Sequence, residues 1–467
     1  MNSTLHAPPT PSAAAKPPLI DRLVAPLGAR SLIEGRRGMG WLLTEVAPAQ
    51  LWCALTGALW LDGYNLVLYL TLLGAEVADL AWLPLVNYAG IALHVLIVAA
   101  WPPRGDAQRT CIRYTFIARS LWLGTIAWPL AAWWLGLGTG GVLAGVFVAI
   151  FLTAMVGNVG VAAFMTYTAA VVPHELRGRF FMWRNLGAFG LVTVALHLVA
   201  WAWPVAPLGP PLGPPGIPVA AAGVAELPWL MGLMTGATVL VILSTFPLAW
   251  SPAMPARAAH ALAHPPLRIA LAGRGDFTRL VAMGALNTAS MACVLPFLPR
   301  LLQHLGLDGK HYALLQGDVQ VPLMLAGVVV AGLALRRLGG TTLMVVTAAA
   351  GLAGDALMLL LTPANLGWLA AVGIGVAGLA RGLASIGWIG RLQELAPAHD
   401  TRFPMLHIAA NGLAGMLAGG VLMAAVPWLE ARQAAGALDH DPLWMVVAAG
   451  VGLRAGVLML AVWPTRR

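Results

Sequence analysis

Apolar runs of about 20 residues recur twelve times along this chain, and arginines gather at every second gap between them. A helix of that length crosses the roughly 30 Å hydrocarbon layer of a bilayer. Only a segment that satisfies its own backbone hydrogen bonds survives there. Hydrophobic residues make up 59% of the sequence and charged ones 10%, against about 25% charged in a soluble domain. An all-α membrane protein with twelve transmembrane helices is expected. The spans fall at roughly 50–73, 80–101, 113–135, 141–170, 184–204, 227–249, 277–303, 312–336, 341–362, 367–393, 404–427 and 443–464.

The gaps set an orientation, because Lys and Arg concentrate in cytoplasmic loops. One side takes the N-terminal tail, Arg104, Arg109, Arg177, Arg179, Arg257, Arg268, Arg336, Arg337, Arg402 and Arg467, while the other takes little beyond Arg300, Lys310 and Arg432. Both termini are expected in the cytoplasm, and the chain in the inner, plasma membrane. The high pI of about 10.2 reflects these scattered anchors, which form no stripe for nucleic acid. Anionic lipid suffices as their partner. Cys53, Cys111 and Cys293 show neither disulfide nor metal spacing, so they read as small packing residues. No metal or other cofactor is expected.

The chain divides at its middle. The expected units are a cytoplasmic tail at 1–44, a six-helix bundle at 45–250, a central cytoplasmic loop at 251–275 and a second six-helix bundle at 276–467. The bundles repeat one another. LGAEVADLAWL at 73–83 aligns with LGLDGKHYALL at 305–315, and VVPHELRGRFFM at 171–182 with LAPAHDTRFPM at 395–405. Arg104 then falls opposite Arg336, and Arg179 opposite Arg402. Matches in consistent order argue for a duplicated unit. A Pro- and Gly-rich connection, PVAPLGPPLGPPGIP at 204–218, cannot be a regular helix.

Two such halves with these motifs resemble the major facilitator superfamily. VPHELRGRFFMWRN at 172–185 is similar to that family's loop between spans four and five. GLALRRLGG at 332–340 is similar to its Gly- and Arg-rich loop between spans eight and nine, with Leu335 where an acidic residue is usual. The resemblance covers about residues 45–465. It implies two pseudo-symmetric six-helix bundles around a central cavity lined by spans one, four, seven and ten. It also implies secondary transport of a small solute by alternating access, with no enzymatic activity. A monomer is expected.

Ionisable side chains at mid-membrane are costly unless paired or hydrated, so they point to a pathway. Asp62, Asn158, Asn287 and Arg381 sit near mid-depth on spans one, four, seven and ten. They are candidates for a polar belt around the solute, with Asn65 and Asp318 extending it. Asp62 is also the candidate proton carrier. Arg381 could hold a carboxylate or phosphate bidentately, although Asp62 and Arg381 could equally satisfy each other. Arg177, Arg179, Arg184, Arg336, Arg337 and Arg402 are candidates for a cytoplasmic latch, or simply for anchors. Asp355 and Arg454 reach one depth on spans nine and twelve and suit a structural ion pair, with Asp355–Arg381 as the competing pair. Most tryptophans gather at span ends, as an interfacial belt requires, whereas Trp60 and Trp388 lie deeper.

Other classes fare worse. The chain lacks a phosphate-cradling G-x-x-x-x-G-K-[ST] and an H-E-x-x-H. A transport fold serving as a sensor or scaffold without flux is the alternative. An embedded enzyme acting on lipid-linked substrates ranks below it.

Overall fold

The computed structural model describes residues 39–56, 64–100, 106–173, 176–202, 223–253, 274–307, 309–396, 402–438 and 440–463. Asp62, Trp60, Arg104, the 204–218 connection and nearly all of the central loop lie outside the described residues, as do the side chains of Arg336 and Arg337.

Every described element is helical. A short α1, Met39–Thr44, leads into α2, Val46–Thr56, and α3, Tyr64–Leu72. Next come α4, Val77–Leu80, and α5, Trp82–Ala100, followed by α6, Ala107–Leu121, and α7, Gly124–Trp134. The first half closes with α8, Thr139–Val171, α9, Arg177–Ala202, α10, Gly223–Leu243, and α11, Phe246–Ala249. The second half opens with α12, Gly275–Val294, α13, Leu298–His304, and α14, Gly309–Leu315. A π-helical turn, Gln316–Gln320, leads into α15, Val321–Met358, then α16, Leu366–Leu395, α17, Arg402–Ala434, and α18, Pro442–Val462.

Ten stretches among the described residues are long and apolar enough to cross a membrane. They match ten of the twelve expected spans. The other two places are taken by helix pairs. The first span appears as α2 and α3, and Asn65 Nδ2 donates to the Leu55 carbonyl at 3.0 Å. That bond ties the two helices together. The third appears as α6 and α7, where Arg109, Arg113 and Arg119 on α6 lower the hydropathy. Within α15 the chain breaks at Gly339, whose φ of 74° favours glycine. This break separates two expected spans.

Many of the described helix ends gather on two faces. On the face carrying both ends of the described chain, Trp41 packs on Trp250 at 5.1 Å, and Arg279 Nε donates to the Leu460 carbonyl at 2.7 Å. Arginines close helix C-termini there, as the exposed carbonyls and helix dipole favour. Arg177 Nη2 donates to the Ala169 carbonyl at 2.8 Å, and Arg274 Nη1 to the Leu395 carbonyl at 3.1 Å. On the far face, four helices end in one motif, with Gly74, Gly136, Gly306 and Gly436 at positive φ. Gly74 and Gly306 occupy aligned positions of the sequence repeat. Their amides bond the Thr71 and Gln303 carbonyls, and the next amides bond Leu70 and Leu302. This is the paired bonding of a Schellman cap.

The two halves meet along α5 with α17 and α9 with α15. Small residues let membrane helices approach closely. A Cβ on Gly412 would lie 2.3 Å from the Ala92 amide nitrogen, and one on Gly419 2.6 Å from that of Leu85. Gly332 admits Met182 of α9 in the same way.

Candidate functional site

Arg381 lies near the middle of α16 and forms a wall common to two cavities. The larger, about 270 Å³, sits inside the C-terminal bundle. Asn287 and Thr288 of α12, Trp388 of α16, and His407 and Asn411 of α17 line it with Arg381. The smaller, about 70 Å³, lies between the halves. It is lined by Gln50 and Cys53 of α2, Phe189 of α9, Gln316 and Gln320 of the π turn, and Ser385 of α16. An irregular backbone turn at a cavity is a frequent sign of function in helical proteins.

Asp355 and Arg454 also line the larger cavity, although the family resemblance assigns their spans to the bundle exterior. Arg454 Nε lies 3.1 Å from Asp355 Oδ2 as an ion pair, while its N–H donates to Ser290 Oγ at 3.3 Å. The side chains are long enough to carry charge from outer helices inward. Gly351 makes room, since a Cβ there would meet Arg454 Nη1 at 2.6 Å. Of the two arginines weighed for Asp355, Arg454 lies within ion-pair distance.

On the lining residues of this cavity, His407 Nδ1, Asn411 Oδ1 and Asp355 Oδ2 are buried without a hydrogen-bond partner. Asn411 Nδ2 lies 3.2 Å from His407 Nε2. With the amide donating, the neutral ring carries its proton on Nδ1, a tautomer assigned from the bonding. His407 Nδ1 is buried and has no partner. Asn287 Nδ2 reaches only the Met291 thioether, at 3.3 Å, a weak acceptor. Trp388 stacks on His407 with ring centroids 6.1 Å apart.

The other sequence candidates separate. Asn65 is buried and its Nδ2 is engaged by the Leu55 carbonyl. Asn158 Nδ2 donates to the Ala154 carbonyl one turn back, at 2.7 Å, and lines neither cavity. Asp318 Oδ1 meets His197 Nε2 of α9 at 2.6 Å, joining the halves toward the far face. Toward the opposite face, Gln393 Nε2 donates to Thr168 Oγ1 at 3.2 Å, joining α16 to α8. Between these levels Asn185 Nδ2 donates to Ser385 Oγ at 3.1 Å. Arg177 caps α8, Arg179 is exposed and Arg402 half-buried.

Arg184 works inside the first half. Its Nη2 lies 3.1 Å from Glu45 Oε2, and Arg119 Nη2 lies 2.7 Å from Glu45 Oε1. Arg119 also donates to the Val241 carbonyl and to Ser244 Oγ. This buried cluster ties together α6, α9, α10 and the start of α2. Glu45 goes unremarked in the sequence because its partners are remote along the chain. The His407–Asn411 spacing, one helical turn, is visible there but carries no depth signal of its own.

Two helical bundles, with one small cavity between them and a larger one inside the second, define the architecture of an integral, multi-pass membrane protein of the major facilitator fold. Solved structures share it. A variant of the nucleoside transporter NupG matches with a TM-score of 0.58 at 12% identity, covering 90% of this chain and 98% of that one. The proton:xylose symporter XylE matches with 0.58 at 15%, covering 90% and 96%. A bacterial homologue of the iron transporter ferroportin, in an outward-facing state, matches with 0.56 at 14%, covering 90% and 98%. No family model matches the chain, and no curated protein matches it in sequence.

Proposed function

We propose that this protein is a secondary active transporter. It moves a small solute by rocking its two halves about a site at Arg381 and exposing that site to one side at a time. The observation that carries the reading is the pair of polar cavities meeting at Arg381, with cross-half contacts on either side of them. His197–Asp318 and Gln393–Thr168 are then the contacts that break in alternation. The arginine-rich face is the cytoplasmic one, in a plasma membrane, and the far face is external. The structural relatives named above are a nucleoside transporter, a proton:xylose symporter and a homologue of an iron transporter, and a small solute is the shared class.

Within this reading Asp62 remains the candidate proton carrier, and Asn287 and Arg381 the candidate solute contacts. Asp355–Arg454 positions the cavity wall. Purified protein in sealed vesicles, tested with a panel of labelled small solutes under an imposed pH gradient, is the direct test. Accumulation that Asp62→Asn abolishes, with exchange retained, is the expected result. Undiminished gradient-driven accumulation removes Asp62 from the coupling role, and absence of flux for every solute contradicts the transporter reading.

A further inference from the structure

We infer that the Asp355 carboxylate is a proton-binding site on the wall of the larger cavity, and that its proton sets the charge this wall presents to a solute. The inference rests on the proposed transport reading only for the use made of that proton.

Asp355 is 6% exposed, lies within a span and lines a space of about 270 Å³. A buried carboxylate draws hydrogen-bond donors to itself or gives up its charge. Asp355 Oδ2 has no hydrogen-bond partner, although Arg454 Nε stands 3.1 Å away. The N–H of that nitrogen is turned to Ser290 Oγ, so the contact with Asp355 is one of charge alone. An oxygen enclosed in this way leaves no room for a solute, whereas a proton needs none. Ionisable groups held inside a membrane bundle beside a cavity are the usual stations of a proton.

The surroundings let the acid change charge without stranding its partner. Ser290 Oγ accepts from Arg454 Nε at 3.3 Å and donates to the Gly450 carbonyl at 2.7 Å. When a proton passes from water entering the cavity to the carboxylate, one O–H bond forms and the ion pair is discharged. The guanidinium keeps its place on Ser290. The wall then loses its negative charge and retains Arg454 and Arg381.

The groups around the carboxylate are few. Helix α18 brings Arg454, and α16 brings Arg381, the second cation acting on it. Helix α17 brings His407 to the cavity wall, and α12 brings Asn287 and Ser290, which do not titrate. Helix α9 meets α15 at Gly332, beyond the break at Gly339. Among the described lining residues Asp355 is the one acid, so a carboxyl signal distinguishes it from His407.

Infrared difference spectroscopy of the purified full-length protein across pH reads a protonated carboxyl directly, through a C=O stretch that moves to lower frequency in heavy water. Acidification within the folded range should raise such a band, and Asp355→Asn should remove one component of it. Asp62→Asn and Asp318→Asn should each keep that component, and Asp355→Glu should show one of its own. If Asp355→Asn leaves Arg454 unbalanced and fails to fold, the double variant Asp355→Asn with Arg454→Gln removes both charges together and gives the same readout.

A carboxyl signal identical in the wild type and a folded Asp355→Asn variant overturns the inference, as does a wild-type protein with no such band. Vesicle flux separates the two claims. Loss of the component in Asp355→Asn, with no flux of any solute through the wild type, sinks the transport reading alone. Flux of a solute, with the component intact in Asp355→Asn, sinks the inference alone.

Discussion

Glu45 is the residue on which the first half's buried electrostatics depend. Two guanidinium groups share its carboxylate at 2.7 and 3.1 Å, and its own surface is 4% exposed. Removing it leaves two buried cations without their anion. Breaking a buried pair costs about 3–5 kcal/mol. Glu45→Ala should therefore lower the thermal midpoint sharply. A midpoint equal to wild type would show that the cluster is dispensable. A smaller loss is expected for Asn65→Ala, which removes the hydrogen bond to the Leu55 carbonyl, worth about 0.5–1.5 kcal/mol. A side chain's depth is legible in the sequence by counting along a span, and so Arg381 and Asn287 stand out. Its direction is not, because helix rotation is set by partners elsewhere. That is why Asp355 and Arg454 line a cavity although the family resemblance places their spans on the exterior.

Helices in this chain are packed through glycine and finished through glycine. Where α17 crosses α5, Gly412 has backbone 2.3 Å from the position of a Cβ. Gly412→Leu should force the helices apart and cost about 1–3 kcal/mol by overpacking. Gly232→Ala is the control, since nothing lies within 4 Å of its Cβ position. Equal midpoints for the two variants would contradict the close crossing. At the start of α18, Asp441 accepts from the Leu443 amide at 2.7 Å and from His304 Nδ1 at 3.3 Å. The His304 hydrogen bond, followed by the amide, holds its carboxyl below the usual carboxylate value. The group's stabilising contribution is thus present above the unfolded carboxylate pKa and fades as pH falls through the lower folded value. Asp441→Asn should match wild type in acid and be less stable near neutrality, as read by unfolding midpoints across pH. A constant difference at every pH would contradict the capping role. The spans themselves were legible because each must be apolar end to end. The third, which divides between α6 and α7, was less so, since arginines on α6 interrupt the run without altering its overall length.

At the scale of the whole molecule, duplication was legible through aligned loops, and the structure gives it a physical form. Gly74 and Gly306 end equivalent helices with the same bonds, and Phe180 and Phe403 are buried at equivalent entries. The contact of the halves was not legible, because His197 with Asp318 and Gln393 with Thr168 join residues remote in sequence. These contacts carry the central claim that the halves rock about Arg381. Paired spin labels on exposed positions test it most directly, with Leu137 and Leu360 on the far face and Phe246 and Trp463 on the opposite one. Double electron–electron resonance in bilayers should show two populations, in which the far-face pair lengthens as the other shortens. Distances that stay single, or that lengthen together, would contradict alternating access in this protein.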